Sequence, residues 1–425
     1  MGPASPGRAH GAIHPGPLCK SGTVALNRTA PLRAKIDRAL PERPFSIRFW
    51  DGTEVPSTTG NGGPTFTVAS PDAIAHALRA PGQLGIGRAY VTGDLQVDDI
   101  DAVIDLLAGW APPPLKRPTQ ARLALAAARA AGVRRPPPPP RSELRPRGKR
   151  HSAARDARAV RHHYDVSNEF FALFLDETMT YSCAIFETPG QSLEDAQANK
   201  RATVARKLSL APGERLLDVG CGWGSFAVDA AKSHDVSVVG ITLSEPQAQG
   251  ARDRAAAAGV GDRVEIRVMD YRDLRGERFD AIASIGMVEH VGEENIDTYA
   301  AGLASLLEPG GRLLNHGIAR LRHSDPDAGP FSERYVFPDA APLHLSRILL
   351  ALERAGFQTD HVEGYAEHYD RTLTHWADRL DANLERAQEL AGAERLRVWR
   401  LYLRAARSGF RTGFTSIYQV RATRA

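Results

Sequence analysis

Between residues 215 and 319 the chain alternates short apolar runs with longer stretches of helical period. The runs are RLLDVG (215–220), VSVVGIT (236–242), RVEIRVMD (263–270), FDAIASIG (279–286) and GRLLNHGIA (311–319). Apolar runs of this length, separated by amphipathic text, predict strands joined by crossover helices. The implied fold is α/β, a mostly parallel, doubly wound sheet covered on both faces. Residues 330–425 add further strand and helix text, including a helix-rich stretch over 372–410 that reads as an insert or lid. Upstream, the alternation in PFSIRFWDGTEV (44–55) around an Asp-Gly pair predicts a hairpin. SPDAIAHALRA (70–80) has a serine N-cap followed by proline at the first helical position. Residues 41–110 therefore read as a small α+β domain, 1–40 as a disordered tail, 111–154 as a linker and 155–425 as one α/β domain.

Charge changes the picture of the linker. The chain is +4 overall, yet residues 111–150 hold eleven Lys/Arg and one acid, Glu143, so the remainder is net negative. Five consecutive prolines (136–140) favour an extended, semi-rigid spacer. Such a segment is either a solvated linker or an electrostatic attachment to an anionic membrane surface, at about 1 kcal/mol per basic residue. It lacks aromatic side chains for base stacking, which argues against nucleic acid as a partner. No run of 18 apolar residues is present, so membrane contact is expected to be peripheral. The first twenty residues have no apolar core of the kind a secretory leader needs. Three scattered cysteines (Cys19, Cys183, Cys221) without CxxC spacing form neither a disulfide framework nor a structural zinc site, and no metal is expected. The pattern suits a reducing, cytoplasmic compartment.

LLDVGCGWGSFAVDAA (216–231) reads as strand, tight turn and helix. Gly220, Gly222 and Gly224 let backbone approach a ligand at the first crossover. A dinucleotide site would want an acid at the end of the second strand, where this chain has Thr242. Asp218 before the turn would repel a pyrophosphate and attract an ammonium or sulfonium. Asp270 and Tyr271 in MDYRDL follow the third strand, where an adenine would lie. Together these residues point to S-adenosylmethionine.

Beyond this turn, an ordered series of motifs over about 155–425 resembles the cyclopropane-fatty-acyl-phospholipid synthase family, to which the mycolic-acid cyclopropane synthases are related. The motifs are RHHYDVSNEFFALFLDETMTYSCAIF, LLDVGCGWGSFA, GITLSEPQ, DYRDL, SIGMVEHVG, NHGIA, YVFPDA and HYDRTLTHW. LGIGRAYVTGDL (84–95) is similar to a stretch in the N-terminal domain of the phospholipid-acting members. The resemblance implies a Rossmann-like methyltransferase domain that transfers a methyl group to the cis double bond of an acyl chain through a carbocation. Tyr164, Phe170, Tyr181 and Tyr369 offer aromatic faces to such a cation. It also implies a bound bicarbonate as base, cradled by Cys183, Glu289, His316, Ile318 (through its backbone) and Tyr369. Taken singly, Cys183 also suits a small buried core residue, and Glu289 a helix cap. For the cofactor the resemblance carries to Tyr181, Ser182, Gly220, Gly222, Thr242, Leu243, Gln247, Asp270, Tyr271 and Arg272, with Asp218 added on charge. His290 is left out, because adjacent side chains diverge on a regular backbone.

The chain departs from the family pattern at YVFPDA, where the family has YIFPGG, and in its longer linker. NHGIA with this N-terminal architecture looks more like a branch making 10-methylene-stearoyl chains from oleoyl phospholipids, which a flavin or nicotinamide reductase then converts to tuberculostearic acid. A cyclopropane product is the alternative. Apolar residues of the insert (Leu380, Leu384, Leu390, Leu396, Trp399, Leu401, Tyr402, Leu403) would line an acyl tunnel or simply pack a core. The expected setting is the inner face of the cytoplasmic membrane. A homo-oligomer is expected, with the long linker able to lend one subunit's N-terminal domain to another. A methyltransferase for a small soluble molecule would not need the cradle, and a non-catalytic lipid- or RNA-binding module would not need an intact glycine turn.

Overall fold

The computed structural model describes residues 28–60, 62–132, 137–145, 148–152, 155–156, 158, 166–323, 329–340 and 342–425. Most of the expected tail (1–27), Tyr164 with the rest of RHHYD, and the basic residues Arg134, Arg135 and Arg147 lie outside the described residues.

The N-terminal unit is a four-stranded sheet in the order β2-β1-β3-β4, built from β1 (Ser46–Phe49), β2 (Glu54–Val55), β3 (Thr65–Val68) and β4 (Leu95–Val97). β1 and β2 form the antiparallel hairpin that the alternation predicts. Helix α2 (Pro71–Arg79) starts at Ser70, whose side chain accepts from Asp72 N–H. Two helices lie where the sequence suggested no domain. α1 (Ala30–Ala39) falls inside the supposed tail, and α5 (Arg117–Ala131) inside the supposed linker. Leu32 of α1 and Ala126 and Ala130 of α5 are buried with Phe49, Val55 and Val68. The small alanine face permits this close seating, and burial rather than intrinsic propensity stabilises both helices. The lone acid of the basic segment is also structural. Glu143 takes Arg88 Nε and Nη2 on its two oxygens, each at 2.7 Å, and Tyr335 Oη at 3.0 Å. Arg88 lies on α3 (Gln83–Thr92). A paired, hydrogen-bonded charge is the form in which a buried carboxylate persists.

The catalytic unit is a seven-stranded sheet in the order β10-β11-β9-β8-β5-β6-β7. Its strands are β5 (Arg215–Val219), β6 (Ser237–Thr242), β7 (Val264–Val268), β8 (Phe279–Ile285), β9 (Leu307–Arg320), β10 (Phe357–Gly364) and β11 (Thr415–Arg424). β5 to β9 are mutually parallel, whereas β11 runs antiparallel between β9 and β10. The central strands are covered on both faces. Leu216, Leu217, Ala281, Ile282, Leu313 and Leu314 have no exposed surface, which is why their sequence reads as continuous apolar runs.

The helix-rich stretch forms α14 (Ala366–Ala382) and α15 (Leu384–Arg411, broken at Gly392), following α4 (Ile100–Gly109), α6 (Asn168–Ala172), α7 (Leu193–Leu208), α8 (Ser225–His234), α9 (Glu245–Ala257), α10 (Val288–Val291), α11 (Ile296–Leu306), α12 (Pro330–Tyr335) and α13 (Leu345–Arg354). Leu380, Leu396, Trp399 and Leu403 are buried in one aromatic-rich cluster with Phe170, Phe171, Phe174, Trp223 and Trp376, and Leu384, Leu390 and Tyr402 pack against it. Leu401 packs instead with Val91, Phe331 and Tyr335. The N-terminal unit sits on its own chain's α15. Arg404 Nε meets Asp101 of α4 at 2.8 Å, and Val91 packs with Val398. No helix among the described residues is long and apolar enough to cross a membrane.

Candidate active site

β5 ends at Val219, and Gly220, Gly222 and Gly224 turn the chain into α8 with φ of 77°, 54° and 79°. Each job differs. A Cβ at Gly220 would lie 2.7 Å from the Met287 side chain, and one at Gly224 would lie 2.8 Å from Ala251 Cβ, where α8 seats on α9. Gly222 faces no atom within 4 Å. Thr242 donates to Gln247 Oε1 at 2.8 Å, and Ser244 caps α9 through Gln247 N–H. The first crossover thus opens a cleft lined by all eleven expected cofactor residues: Tyr181, Ser182, Asp218, Gly220, Gly222, Thr242, Leu243, Gln247, Asp270, Tyr271 and Arg272.

Two carboxylates in this cleft differ sharply. Burial pushes the Asp218 carboxyl up to about 7, against the opposing pull of Lys200 and the Ala227 N–H. Burial also raises Asp270, but the Arg272 guanidinium and backbone N–H prevail and hold it below its usual value. Arg272 spans both Asp270 oxygens at 2.8 and 2.6 Å and reaches Asp156 at 2.9 Å and His151 O at 3.1 Å.

The cleft wall includes residues that sequence reasoning missed. Lys200 of α7 is buried. Its ammonium has one hydrogen bond, to Ser182 Oγ at 3.0 Å, and burial lowers it to about 8. It lies in ordinary helical text with no motif to mark it. His290 points away from Glu289, as expected, and lines the cleft, a place the sequence did not assign to it. α10 is a single turn, so the two adjacent side chains diverge, Glu289 into a buried position and His290 onto the open cleft wall. Asp339 was signalled by the departure YVFPDA. It sits at φ 65°, a conformation that favours the glycine of the family pattern, and its carboxylate is held by Arg155 and Arg150. Asp339 and Asp156 both line the cleft, and the ion pairs of Asp339 with Arg150 and Arg155 form a strap beside it.

None of the five cradle residues lines this cleft; Cys183, Glu289, His316 and Tyr369 are buried and Ile318 is half-buried, and backbone contacts tie them to its wall. Gly286, on the cleft wall, donates its N–H to His316 O at 2.8 Å, and Ser182 is the neighbour of Cys183. The Cys183 thiol is fully buried and turned to Ala184 O (3.3 Å) and Tyr365 O (3.8 Å). Burial raises it far above an ordinary thiol, so it stays protonated and is a poor nucleophile. The ring of Tyr365 stacks on His316 at 6.0 Å, and Tyr369 lies one helical turn further along α14, 4.6 Å from Phe410. Glu289 is pushed up to about 7 by burial, offset by its own N–H and that of Ile318. Two buried polar atoms here have no partner among the described residues: Glu289 Oε2 and His316 Nε2. His316 is lowered to about 3 by burial, with Lys200 and Lys207 adding to the effect, and so is neutral. Tyr181 stacks on Trp376 at 5.1 Å and Trp223 meets Phe171 at 5.1 Å, so aromatic faces join the cleft to the apolar core under α14 and α15.

This geometry has counterparts. Residues 151–420 match the model of the mycolic acid cyclopropane synthetase family. A probable fatty acid methyltransferase of Mycobacterium tuberculosis is 39% identical over 404 residues, covering 92% of this chain and 93% of the relative. The tuberculostearic acid methyltransferase of the same organism is 30% identical over 420 residues, covering 95% and 92%. Among solved structures, a mycolic acid cyclopropane synthase complexed with S-adenosylhomocysteine and the detergent CTAB superposes with a TM-score of 0.60 at 32% identity, covering 63% of this chain and 98% of that one. The chain therefore belongs to the mycolic acid cyclopropane synthetase family of S-adenosylmethionine-dependent methyltransferases.

Proposed function

We propose that this enzyme methylates the cis double bond of an oleoyl-type chain in a membrane phospholipid and releases a 10-methylene-stearoyl chain. The observation that carries the chemistry is the pair of orphaned buried atoms, Glu289 Oε2 and His316 Nε2, beside a cleft walled by aromatic rings. S-adenosylmethionine, when bound, supplies an electrophilic methyl group. The eleven cleft residues hold it, with Asp218 facing its cationic end. Tyr181, Trp376 and Tyr369 offer ring faces to positive charge developing on the acyl chain without capturing it. A strongly nucleophilic side chain would be alkylated there, and Cys183 is kept as a thiol.

A small oxyanion fits the cradle by the chemistry of the groups present. A neutral histidine and a carboxyl near half-protonation at pH 7 supply donors, and Lys200 supplies nearby positive charge. Bicarbonate is the anion we assign, as the base that removes the final proton. The methylene product is supported by likeness to the tuberculostearic acid methyltransferase through the N-terminal unit as well, over 95% of this chain. A cyclopropane is the second reading, favoured by the description of the family model. The basic linker docks the enzyme on the anionic inner face of the membrane, a homo-oligomer is the working form, and a flavin- or nicotinamide-dependent reductase consumes the methylene product.

The test is to incubate the enzyme with S-adenosylmethionine and liposomes of an oleoyl phospholipid, then separate the acyl chains by gas chromatography–mass spectrometry. The expected product is a branched alkene cleaved by ozonolysis. An isomeric product resistant to ozonolysis would replace the methylene reading with the cyclopropane one, and absence of any lipid product with cofactor bound would overturn the lipid substrate.

A further inference from the structure

His316 is held from behind by a closed set of hydrogen bonds that reaches the protein surface. Gln419 faces it across the antiparallel pair β9–β11, and the two residues are in register. Gln419 has no exposed surface, and its amide nitrogen lies 3.0 Å from His316 Nδ1. The amide oxygen accepts from Lys207 Nζ at 2.7 Å. Lys207 gives its other protons to Glu363 Oε2 at 2.5 Å and Tyr365 Oη at 3.0 Å, and Tyr365 Oη in turn donates to Glu363 Oε2 at 2.6 Å.

The chemistry of these groups permits one arrangement. An ammonium has three donors and no acceptor, so the Gln419 atom facing Lys207 is the oxygen. The atom facing His316 is then the NH2 group, a donor only. His316 Nδ1 must accept, so it carries no proton, and in the neutral imidazole the proton lies on Nε2. A protonated imidazolium would set N–H against N–H across this contact. Among the described residues Nε2 has no partner, and it is fully buried, so a donor is left with nothing to receive it.

We propose that Lys207 and Gln419 are positioning residues that lock His316 in the Nε2–H tautomer, presenting a fixed donor to the oxyanion of the cradle. The inference rests on the proposed function for the identity of that anion, but not for the tautomer. Burial of His316, with Lys200 and Lys207 near it, acts in the same direction by keeping the ring neutral. Glu363 neutralises Lys207 and lies at the exposed end of the chain of bonds.

The full-length enzyme labelled with nitrogen-15 in histidine tests this, with the His316→Gln variant assigning the His316 signals. The expected wild-type spectrum has Nδ1 unprotonated and Nε2 protonated, unchanged between about pH 5 and 8, the range in which an ordinary histidine titrates. Gln419→Glu keeps the shape but offers a carboxylate to the ring, so the proton should move to Nδ1. The bicarbonate concentration for half-maximal rate should then rise about 10-fold or more, as for loss of a hydrogen bond to a charged group. S-adenosylmethionine affinity should stay the same, because neither residue lines the cleft. Lys207→Met should give a mixture of tautomers, since the amide can then reverse. A wild-type ring protonated on Nδ1, or one that titrates in this range, overturns the lock even if no variant folds. A correct wild-type tautomer with a rate indifferent to bicarbonate supports the lock and removes the anion assignment instead.

Discussion

Gly317 leaves the space that Glu289 needs. A Cβ on Gly317 would lie 3.1 Å from Glu289 Oε2 and would run into Val288 Cγ1. Glycine on β9 thus makes room first for Val288, and with it lets the Glu289 carboxylate come up against the strand that carries His316 and Ile318. Gly317→Ala should lower stability by about 1–3 kcal/mol, as overpacking a tight site does, and should depress methyl transfer more than cofactor binding. Thermal denaturation, rate measurement and calorimetric titration on the same preparation check it.

Glu289→Gln separates the carboxylate's chemistry from its shape. Glu289 does not line the cofactor cleft, so the affinity for S-adenosylmethionine should be unaltered. The turnover number should fall about 10²–10³-fold, the cost of losing one preorganised polar group at a reacting centre. An equal loss in cofactor affinity would contradict the placement of Glu289 outside the cleft lining.

Cofactor affinity should depend on pH through Asp218. Burial raises its carboxyl to about 7 in the free protein. A cationic ligand favours the charged form, so binding is linked to loss of this proton. Affinity should increase as pH rises from about 6 to 8, at most about tenfold per unit while the group titrates. Asp218→Asn should weaken binding and flatten the slope. Calorimetry in buffers of different ionisation heat measures the proton released.

Lys200→Met should leave the melting temperature unchanged or higher while lowering activity. The ammonium is buried with a single hydrogen bond, and burial lowers it to about 8 from an ordinary 10.5. Because the folded value is below the unfolded one, the penalty is fully present below about pH 8 and fades as pH rises towards 10.5. Any stabilisation of the methionine variant should follow that window in denaturation curves taken across pH.

The strap beside the cleft depends on Asp339. Its carboxylate pairs with Arg155, and the two side chains are 4% and 11% exposed. Asp339→Ala leaves that guanidinium unpaired and should cost about 3–5 kcal/mol, the range for breaking a buried pair. It should also speed cofactor release in stopped-flow measurements. Unchanged release would show that the strap does not retain the cofactor.

Much of the fold was legible because its signals are local. Strands β5, β6 and β8 are buried on both faces and so appear as unbroken apolar runs, and Ser70 acts within two residues of where it stands. The cleft was legible in part for the same reason, since Asp218, Gly220, Gly222 and Thr242 sit at strand ends and the first turn, whereas Tyr181 and Ser182 lie in an irregular loop and were carried only by the resemblance. α1 was not legible, and α5 could be read as a short alanine-rich helix but not as part of the N-terminal unit, because its alanine face carries little apolar pattern until a sheet buries it. Lys200 was hidden because nothing in helical text distinguishes a buried lysine from a solvated one.

By itself, then, the sequence determined the sheet, the glycine turn and the cofactor class, since period and residue type dictate these over short distances. Tertiary structure alone decided that Glu289 and His316 would be left with unsatisfied atoms, that Cys183 would keep its proton, and that Gln419 would stand 103 residues away beside His316. Those outcomes depend on desolvation and on the register of an antiparallel strand inserted between two parallel ones, neither of which is written in any local pattern.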